Sequence, residues 1–177
     1  MDINPEQIAF LTPFVLVITI AWGRWRRVSW ARIGARCLLA LSLLGIASAT
    51  LTPFSLTVEH WRLFGMSQAQ LVPLDTIRSM LAHGVVDSEF RQLAGNVALF
   101  VPFGLALPLA VPRFRRVART VAVGVLLSLA IELVQHVAPY HGFDIDDILL
   151  NGLGTAIGYL VYASLVRIAG RVIHEPE

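Results

Sequence analysis

Long apolar runs separated by short polar connections dominate this chain. Five runs approach the length of about 20 residues that a helix needs to cross a hydrocarbon layer of ~30 Å. They are residues 8–23, 33–53, 95–112, 117–138 and 147–168. The pattern predicts an all-α fold, namely a polytopic membrane protein built as a bundle of about five transmembrane helices. The first run is interpreted as a retained helix, because no base precedes it and a cleavable signal begins with positive charge.

The composition favours the same class. Of the 177 residues, 56% are hydrophobic and 15% are charged, and the mean hydropathy is +0.69. These values lie outside the usual range of soluble domains. We therefore expect residues 1–177 to form a single integral membrane domain. Cys37 is the only cysteine in the sequence, which excludes an intrachain disulfide and a multi-cysteine metal site.

The basic residues predict the orientation of the bundle. All 14 are arginine, and 11 of them lie in the segments 24–36, 113–119 and 167–171, which flank the predicted spans. Short cytoplasmic connections retain Lys and Arg, so these segments are expected in the cytoplasm together with the C-terminus. The N-terminus, the loop 54–94 and the connection 139–146 are then outside. This placement of the arginines accounts for the excess of basic over acidic residues, so no nucleic-acid partner is predicted.

The long loop 54–94 is expected to be partly helical. It contains aromatic and aliphatic residues that suit a position at the membrane interface. Two interpretations stay open from the residues alone. Either the loop packs over the helix ends, or it forms a lid or re-entrant element over a site.

The fourth run carries an ionisable group within the membrane. Glu132, Gln135 and His136 follow the i, i+3, i+4 spacing and therefore share one face of a helix. At 1.5 Å rise per residue, Glu132 lies about 9 Å inside a span that ends near residue 138. A charge at the centre of a span costs roughly 2.5–3.5 kcal/mol, and less toward its end. Glu132 therefore needs a partner or a function.

The fifth run begins with three aspartates within four residues. Asp144, Asp147, Asn151, Gly154 and Gly158 step by three and four residues and form one helical stripe. The two glycines predict a packing seam, because small residues four apart let another helix approach closely. One aspartate, Asp144 or Asp146, is enough to cap the helix, so the other acids need a further explanation.

The fourth and fifth runs should be antiparallel neighbours, because a short connection joins them. Their polar ends then meet in a pocket sunk into the membrane, or in a hydrogen-bonded network that only holds the bundle in register. Asn96 of the third run either joins these groups or caps its own helix. The candidate pocket comprises Asn96, Glu132, Gln135, Asp144, Asp147 and Asn151, with His136, His141 and Asp146 as secondary candidates.

Clustered carboxylates with histidine suit hard cations, zinc or general acid/base chemistry. The sequence nevertheless contains no HExxH motif, paired cysteines, nucleophile elbow or phosphate-binding glycine loop. We therefore predict no metal site and no cofactor, and no catalytic residue is assigned.

Three segments, NVALFVPFG, ELVQH and FDIDDILLNGLGTAIGY, occur in this order and resemble the VanZ-like family of bacterial membrane proteins. The resemblance extends over about residues 40–165. Its motifs coincide with Asn96, with the Glu132–Gln135 pair, and with the stripe from Asp144 to Gly158. The chain departs from the family pattern where it has Gln-Leu-Val-Pro-Leu at 70–74 in place of Asn-Leu-Ile-Pro-Phe, and where it has His141 in place of arginine.

The resemblance implies a bacterial inner-membrane protein associated with resistance to the glycopeptide teicoplanin. We expect the pocket to bind a membrane lipid or an envelope amphiphile. The alternative is a membrane-embedded enzyme that acts on a lipid or envelope precursor through carboxylate acid/base chemistry. Transport is a third class, but the inner halves of the spans offer few polar groups for a path. The oligomeric state is not predicted.

Overall fold

A computed structural model describes residues 2–3, 5–51, 54–55, 69–75, 78, 82, 87–136 and 143–174. Within these ranges the chain forms five α-helices. They are α1 (Pro5–Trp25), α2 (Trp30–Leu51), α3 (Asp87–Ala110), α4 (Val117–His136) and α5 (Ile145–His174).

The predicted all-α membrane fold is confirmed. Four of the helices are long and apolar enough to cross a membrane, over Trp30–Thr50, Phe90–Ala110, Val117–Gln135 and Ile145–Ala169. The apolar part of α1, Ala9–Trp25, is shorter than these four. The first predicted span is therefore a helix, but one at the lower limit of the length that crosses a bilayer.

The start of α3 differs from the prediction. The helix begins at Asp87, eight residues before the apolar run from residue 95. Its first turns are polar and carry no hydropathy signal, although their backbone continues the same helix. Asn96 consequently lies inside α3 and does not cap it.

The centre of the described bundle is α3. It packs most extensively against α5 and next against α2, while α4 packs on α5 and α1 packs on α2. A cluster of buried hydrophobic side chains joins three of these helices. It consists of Ile46 from α2, Phe100, Phe103 and Leu107 from α3, and Ile131 from α4.

The glycine stripe of α5 forms the seam with α3, as predicted. A methyl group added at Gly158 would collide with the carbonyl oxygen of Val101, and one added at Gly154 would collide with that of Val97. Both obstacles are backbone atoms. The two helices therefore approach so closely that only glycine fits at these positions.

The two ends of the bundle differ in chemistry. At the arginine end, a short 3₁₀ helix, Pro112–Phe114, connects α3 to α4. At the opposite end, which we call the acidic end, α5 begins beside the aspartates. The antiparallel pair formed by Asp2–Ile3 and Phe54–Ser55 brings the residues before α1 next to those after α2.

Candidate functional site at the acidic end

The three aspartates at the start of α5 have three different partners. Asp144 caps the helix, because its Oδ1 accepts a hydrogen bond of 2.8 Å from the backbone amide of Asp146. Asp146 and Asp147 occupy the first turn of α5, where the positive end of the helix dipole favours negative charge. Capping therefore accounts for one carboxylate and leaves two for other contacts.

Asp146 holds a segment of the long loop. Its side chain is almost fully buried, and Oδ1 accepts a hydrogen bond of 2.5 Å from the backbone amide of Leu74. Gln70 forms a parallel β-bridge beside it. The Gln70 amide donates to the Phe143 carbonyl at 2.7 Å, and the Ile145 amide donates to the Gln70 carbonyl at 3.1 Å. This part of the loop is thus packed over a helix end.

Glu132 joins α4 to the start of α5. Its side chain is only 3% exposed, and its Oε2 accepts a hydrogen bond of 2.9 Å from the backbone amide of Asp144. The amide of an N-cap residue has no partner within its own helix. The fourth and fifth runs therefore meet as predicted, and Glu132 of α4 binds the backbone amide of the residue that caps α5.

Asp147 joins α5 to α3. Its Oδ1 accepts a hydrogen bond from the side-chain amide of Asn96. One helical turn deeper, the side-chain amide of Asn151 donates to the hydroxyl of Ser128 on α4 at 2.8 Å. Five of the six pocket candidates, the exception being Gln135, therefore form interhelical contacts at the start of α5.

Asn151 has an unpaired acceptor. Its side chain is 4% exposed, and its Oδ1 is the one buried side-chain polar atom without a hydrogen-bond partner in the described part of the chain. Leaving such an atom unpaired costs about 1–3 kcal/mol. Asn151 lies one turn below Asp147, and its partner Ser128 lies one turn below Glu132. The Asn151 carboxamide therefore lies immediately beneath the carboxylates of Asp147 and Glu132.

Gln135 faces a different neighbour from the one expected. Its side-chain amide donates to the Thr50 carbonyl at the end of α2, at 2.8 Å. Three residues fall about 60° short of a full helical turn, so the Gln135 side chain points about 60° away from the direction of Glu132. This difference is enough to turn Gln135 from α5 toward α2. Gln135 thus ties α4 to α2. The His136 side chain and the whole of His141 lie outside the described residues.

Residues 39–167 match the VanZ/LLP1 family. The chain belongs to this family. A stretch of 74 residues is also 31% identical to Protein VanZ from Enterococcus faecium and covers 42% of this chain and 45% of that protein. The chain thus matches less than half of the length of this relative. No solved structure matches the chain.

The VanZ/LLP1 region includes all six pocket candidates and the loop segment that packs on Asp146. The sequence-based site lacked Gln70, Leu74 and Ser128. A signal for the first two was present, since residues 70–74 lie where the VanZ-like pattern has its Asn-Leu-Ile-Pro-Phe motif. Ser128 gave a weaker signal, because it lies four residues before Glu132 on the same face of α4.

Three carboxylates of this VanZ-like chain, those of Glu132, Asp144 and Asp147, lie near the start of α5. Within the described ranges, Glu132, Asp144 and Asp147 accept hydrogen bonds and form no ion pair. Burial is the main cause that raises the pKa of Asp144 above its ordinary value. The neighbouring carboxylates of Asp146 and Asp75 raise it further, and the hydrogen bond from the Asp146 amide lowers it.

Two further features of the described residues lie apart from the pocket candidates or concern metal binding. A groove of about 450 Å³ lies between α2 and α3, where mostly apolar residues line it, and none of the pocket candidates contributes to it. In the part of the chain that the structure describes, no three His, Cys, Asp or Glu side chains are grouped so as to hold a metal ion.

Proposed function

We propose that this VanZ-like protein acts in the bacterial inner membrane as a resistance-type factor whose acidic end binds an amphiphile or an envelope component. One observation carries the proposal. Glu132, Asp147 and Asn96 come from three different helices and meet at the start of α5 without a basic partner among the described residues. Buried acids within a membrane protein are costly, and they commonly mark binding or transfer sites.

The proposed orientation places the acidic end outside. The distribution of arginines supports it, because the short connection at the arginine end, residues 113–119, carries four of them. The N-terminus is then outside and the C-terminus is cytoplasmic. The acidic end would face the compartment in which envelope components and external glycopeptides are found.

The chemistry of the site indicates the kind of ligand. The carboxylates of Glu132, Asp144 and Asp147 accept hydrogen bonds from amide groups, and the Asn151 side-chain carbonyl is an acceptor without a donor. A ligand that reaches the carboxylates has to replace these donors or add to them. Ammonium, amide or hydroxyl groups of an amphiphile meet this requirement, whereas a phosphate or carboxylate group would add repulsion.

The test is teicoplanin susceptibility, combined with surface binding of fluorescent teicoplanin, in a sensitive host that carries the protein. Glu132→Gln and Asp147→Asn are the informative variants. Each amide oxygen still accepts the hydrogen bond of the original side chain, so the charge is removed while the packing is kept. Asp75→Asn is the matched control, because Asp75 is an exposed acid at the same end.

We expect the wild type and Asp75→Asn to raise resistance equally, and both pocket variants to lose the effect at equal membrane levels. Full resistance and binding in Asp147→Asn would show that the acidic pocket is not the functional site. No effect from a folded wild type would show that family membership does not extend to this drug.

A second candidate is an enzyme acting on a lipid or envelope precursor, with Glu132 or Asp144 as the general acid or base. The raised pKa of Asp144 favours it, because a carboxyl group that keeps its proton nearer to neutral pH is a better general acid. Mass spectra of the lipids from cells with the wild type, with Glu132→Gln or with the empty vector test this candidate. Three indistinguishable spectra would reject it.

A further inference from the structure

The loop segment that packs on α5, residues 70–75, is called the strap below. Its central residues are Leu71, Val72, Pro73 and Leu74. Leu71, Val72 and Leu74 are 62%, 51% and 45% exposed, respectively. Turns that face water are usually rich in Gly, Asn, Asp and Ser, which satisfy the backbone and suit the solvent. Four consecutive apolar residues in an exposed turn are therefore unusual for an aqueous surface.

The direction of the strap follows from its pairing. Gln70 and Asp144 form a parallel bridge, so both segments run the same way. The chain after Asp144 enters α5, and the apolar stretch of α5 that is long enough to cross a membrane begins at Ile145. The strap after Gln70 therefore also runs toward the bilayer.

The depth of the turn follows from its next contact. The amide of Leu74 donates to Asp146, which is the second residue of the span. The chain then turns back, because the Asp75 amide donates to the Val72 carbonyl at 3.3 Å. The tip of the strap thus lies beside the first turn of α5, where the apolar stretch of this helix begins.

The geometry of the turn is specific. Pro73 at the second position and a φ of 65° at Leu74 in the third are the pattern of a type II turn, which usually has glycine in the third position. The chain has leucine there. A side chain that contacts hydrocarbon explains this choice, whereas contact with water does not.

We infer that Leu71, Val72 and Leu74 insert into the membrane leaflet at the acidic end, and that their partner is the lipid surface. The strap then fastens the start of α5 to the bilayer. This inference does not depend on whether the acidic pocket binds a ligand. It rests on the pairing with Asp144, the bond to Asp146 and the exposure of the three side chains.

Spin labelling in reconstituted vesicles tests the inference. Cys37 is the only native cysteine, so a Cys37→Ala background accepts a single nitroxide-labelled cysteine at position 71, 72 or 74. Collision rates with oxygen and with a water-soluble nickel chelate on both sides of the membrane report the surroundings of each label. Leu126→Cys supplies the lipid reference, because Leu126 is 64% exposed within the span of α4. Arg113→Cys supplies the aqueous reference, because Arg113 is exposed in the connection at the arginine end.

We expect the ratio of oxygen to nickel collisions at the three strap positions to lie several-fold above that of Arg113→Cys and below that of Leu126→Cys, because oxygen concentrates at the middle of the bilayer and Leu126 lies at the middle of its span. A ratio equal to that of Arg113→Cys would overturn the inference. So would low collision rates with both reagents, since they would place the side chains against protein.

A second measurement needs no substitution. Hydroxyl-radical footprinting of the wild-type protein in vesicles should leave Leu71, Val72 and Leu74 as weakly oxidised as Leu126. Transfer to a short-chain detergent that thins the apolar layer should increase their oxidation. Strong oxidation already in vesicles would reject lipid contact even if the labelled variants fail to fold.

Discussion

A single methyl group at the seam between α3 and α5 should destabilise the bundle. In Gly158→Ala, the new Cβ would lie 2.9 Å from the Gly104 Cα and 2.8 Å from the Leu105 nitrogen, and closer still to the Val101 carbonyl oxygen. Carbon atoms pack best at about 3.5–4.0 Å, so the helices have to separate by at least roughly 0.6 Å. All three obstacles are backbone atoms, which cannot rotate away.

The expected magnitude combines two opposing effects. Forcing an extra group into a packed interface costs typically 1–3 kcal/mol. Replacing glycine by alanine within a helix returns about 0.5–1 kcal/mol. The net loss is then about 0–2.5 kcal/mol, with a central value of about 1.2 kcal/mol, which corresponds to roughly eightfold in the ratio of folded to unfolded protein.

Gly45→Ala is the matched control. Gly45 also lies within a spanning helix, but a Cβ added there meets nothing within 4 Å. This variant should keep the gain in helix propensity without the steric cost, and it should be stabilised by about 0.5–1 kcal/mol. The same chemical change is thus expected to have opposite signs at the two positions.

The measurement is the unfolding of both variants in mixed micelles with increasing denaturing detergent, followed by the helical circular dichroism signal. Gly158→Ala should unfold at a lower fraction of denaturing detergent than the wild type, and Gly45→Ala at a higher fraction. If Gly158→Ala were stabilised as much as Gly45→Ala, the close approach of α3 and α5 would be refuted.

Three further predictions concern the acidic end, and the same unfolding assay measures each of them. Asn96→Leu removes the donor to Asp147 and should lower the free energy of unfolding by about 1–2 kcal/mol. The double variant with Asp147→Leu should recover part of this loss. Equal stability of Asn96→Leu and the wild type would contradict the contact. Leu74→Gly relieves a positive φ and should leave stability in detergent unchanged or raise it by up to about 1 kcal/mol, and a clear loss would show that the turn is not strained. Asp144→Asn keeps the helix cap but removes a carboxylate whose pKa is raised in the folded state. In the wild type, ionisation of this carboxylate disfavours folding at any pH above its ordinary pKa. The variant should therefore be more stable than the wild type at pH 7, and the difference should disappear as the pH falls below about 4, where the Asp144 carboxyl is protonated in both the folded and the unfolded state. A difference that grows on acidification would contradict the raised pKa.

Each aspartate at the start of α5 has a structural role, and the charge of these aspartates gives them a chemical role as well. Asp144 caps the N-terminus of α5, Asp146 binds the strap, and Asp147 binds Asn96 of α3. Each contact also concentrates negative charge at the same helix start. The contacts account for the positions of the side chains, and the printed contacts of Asp144 and Asp147 are hydrogen bonds from amides, so their negative charge is what the proposed ligand would use.

Local patterns in the sequence determined much of this protein. The apolar runs predicted the helices, because hydrocarbon requires about 20 apolar residues with their backbone bonds satisfied internally. The glycine stripe from Gly154 to Gly158 predicted the seam, and the short link between α4 and α5 placed Glu132 near Asp144. These features depend on neighbours along the chain, where helical periodicity fixes the face of each residue.

Tertiary structure alone decided which face meets which partner. Gln135 lies only three residues from Glu132, yet it contacts Thr50 of α2 while Glu132 contacts α5. Periodicity gives the angle of a side chain about its own helix, but not the order or rotation of the neighbouring helices. The bond between Asp146 and Leu74 spans 72 positions in the chain for the same reason. Such contacts arise only when the packing of α3 on α5 brings distant segments to one end of the bundle.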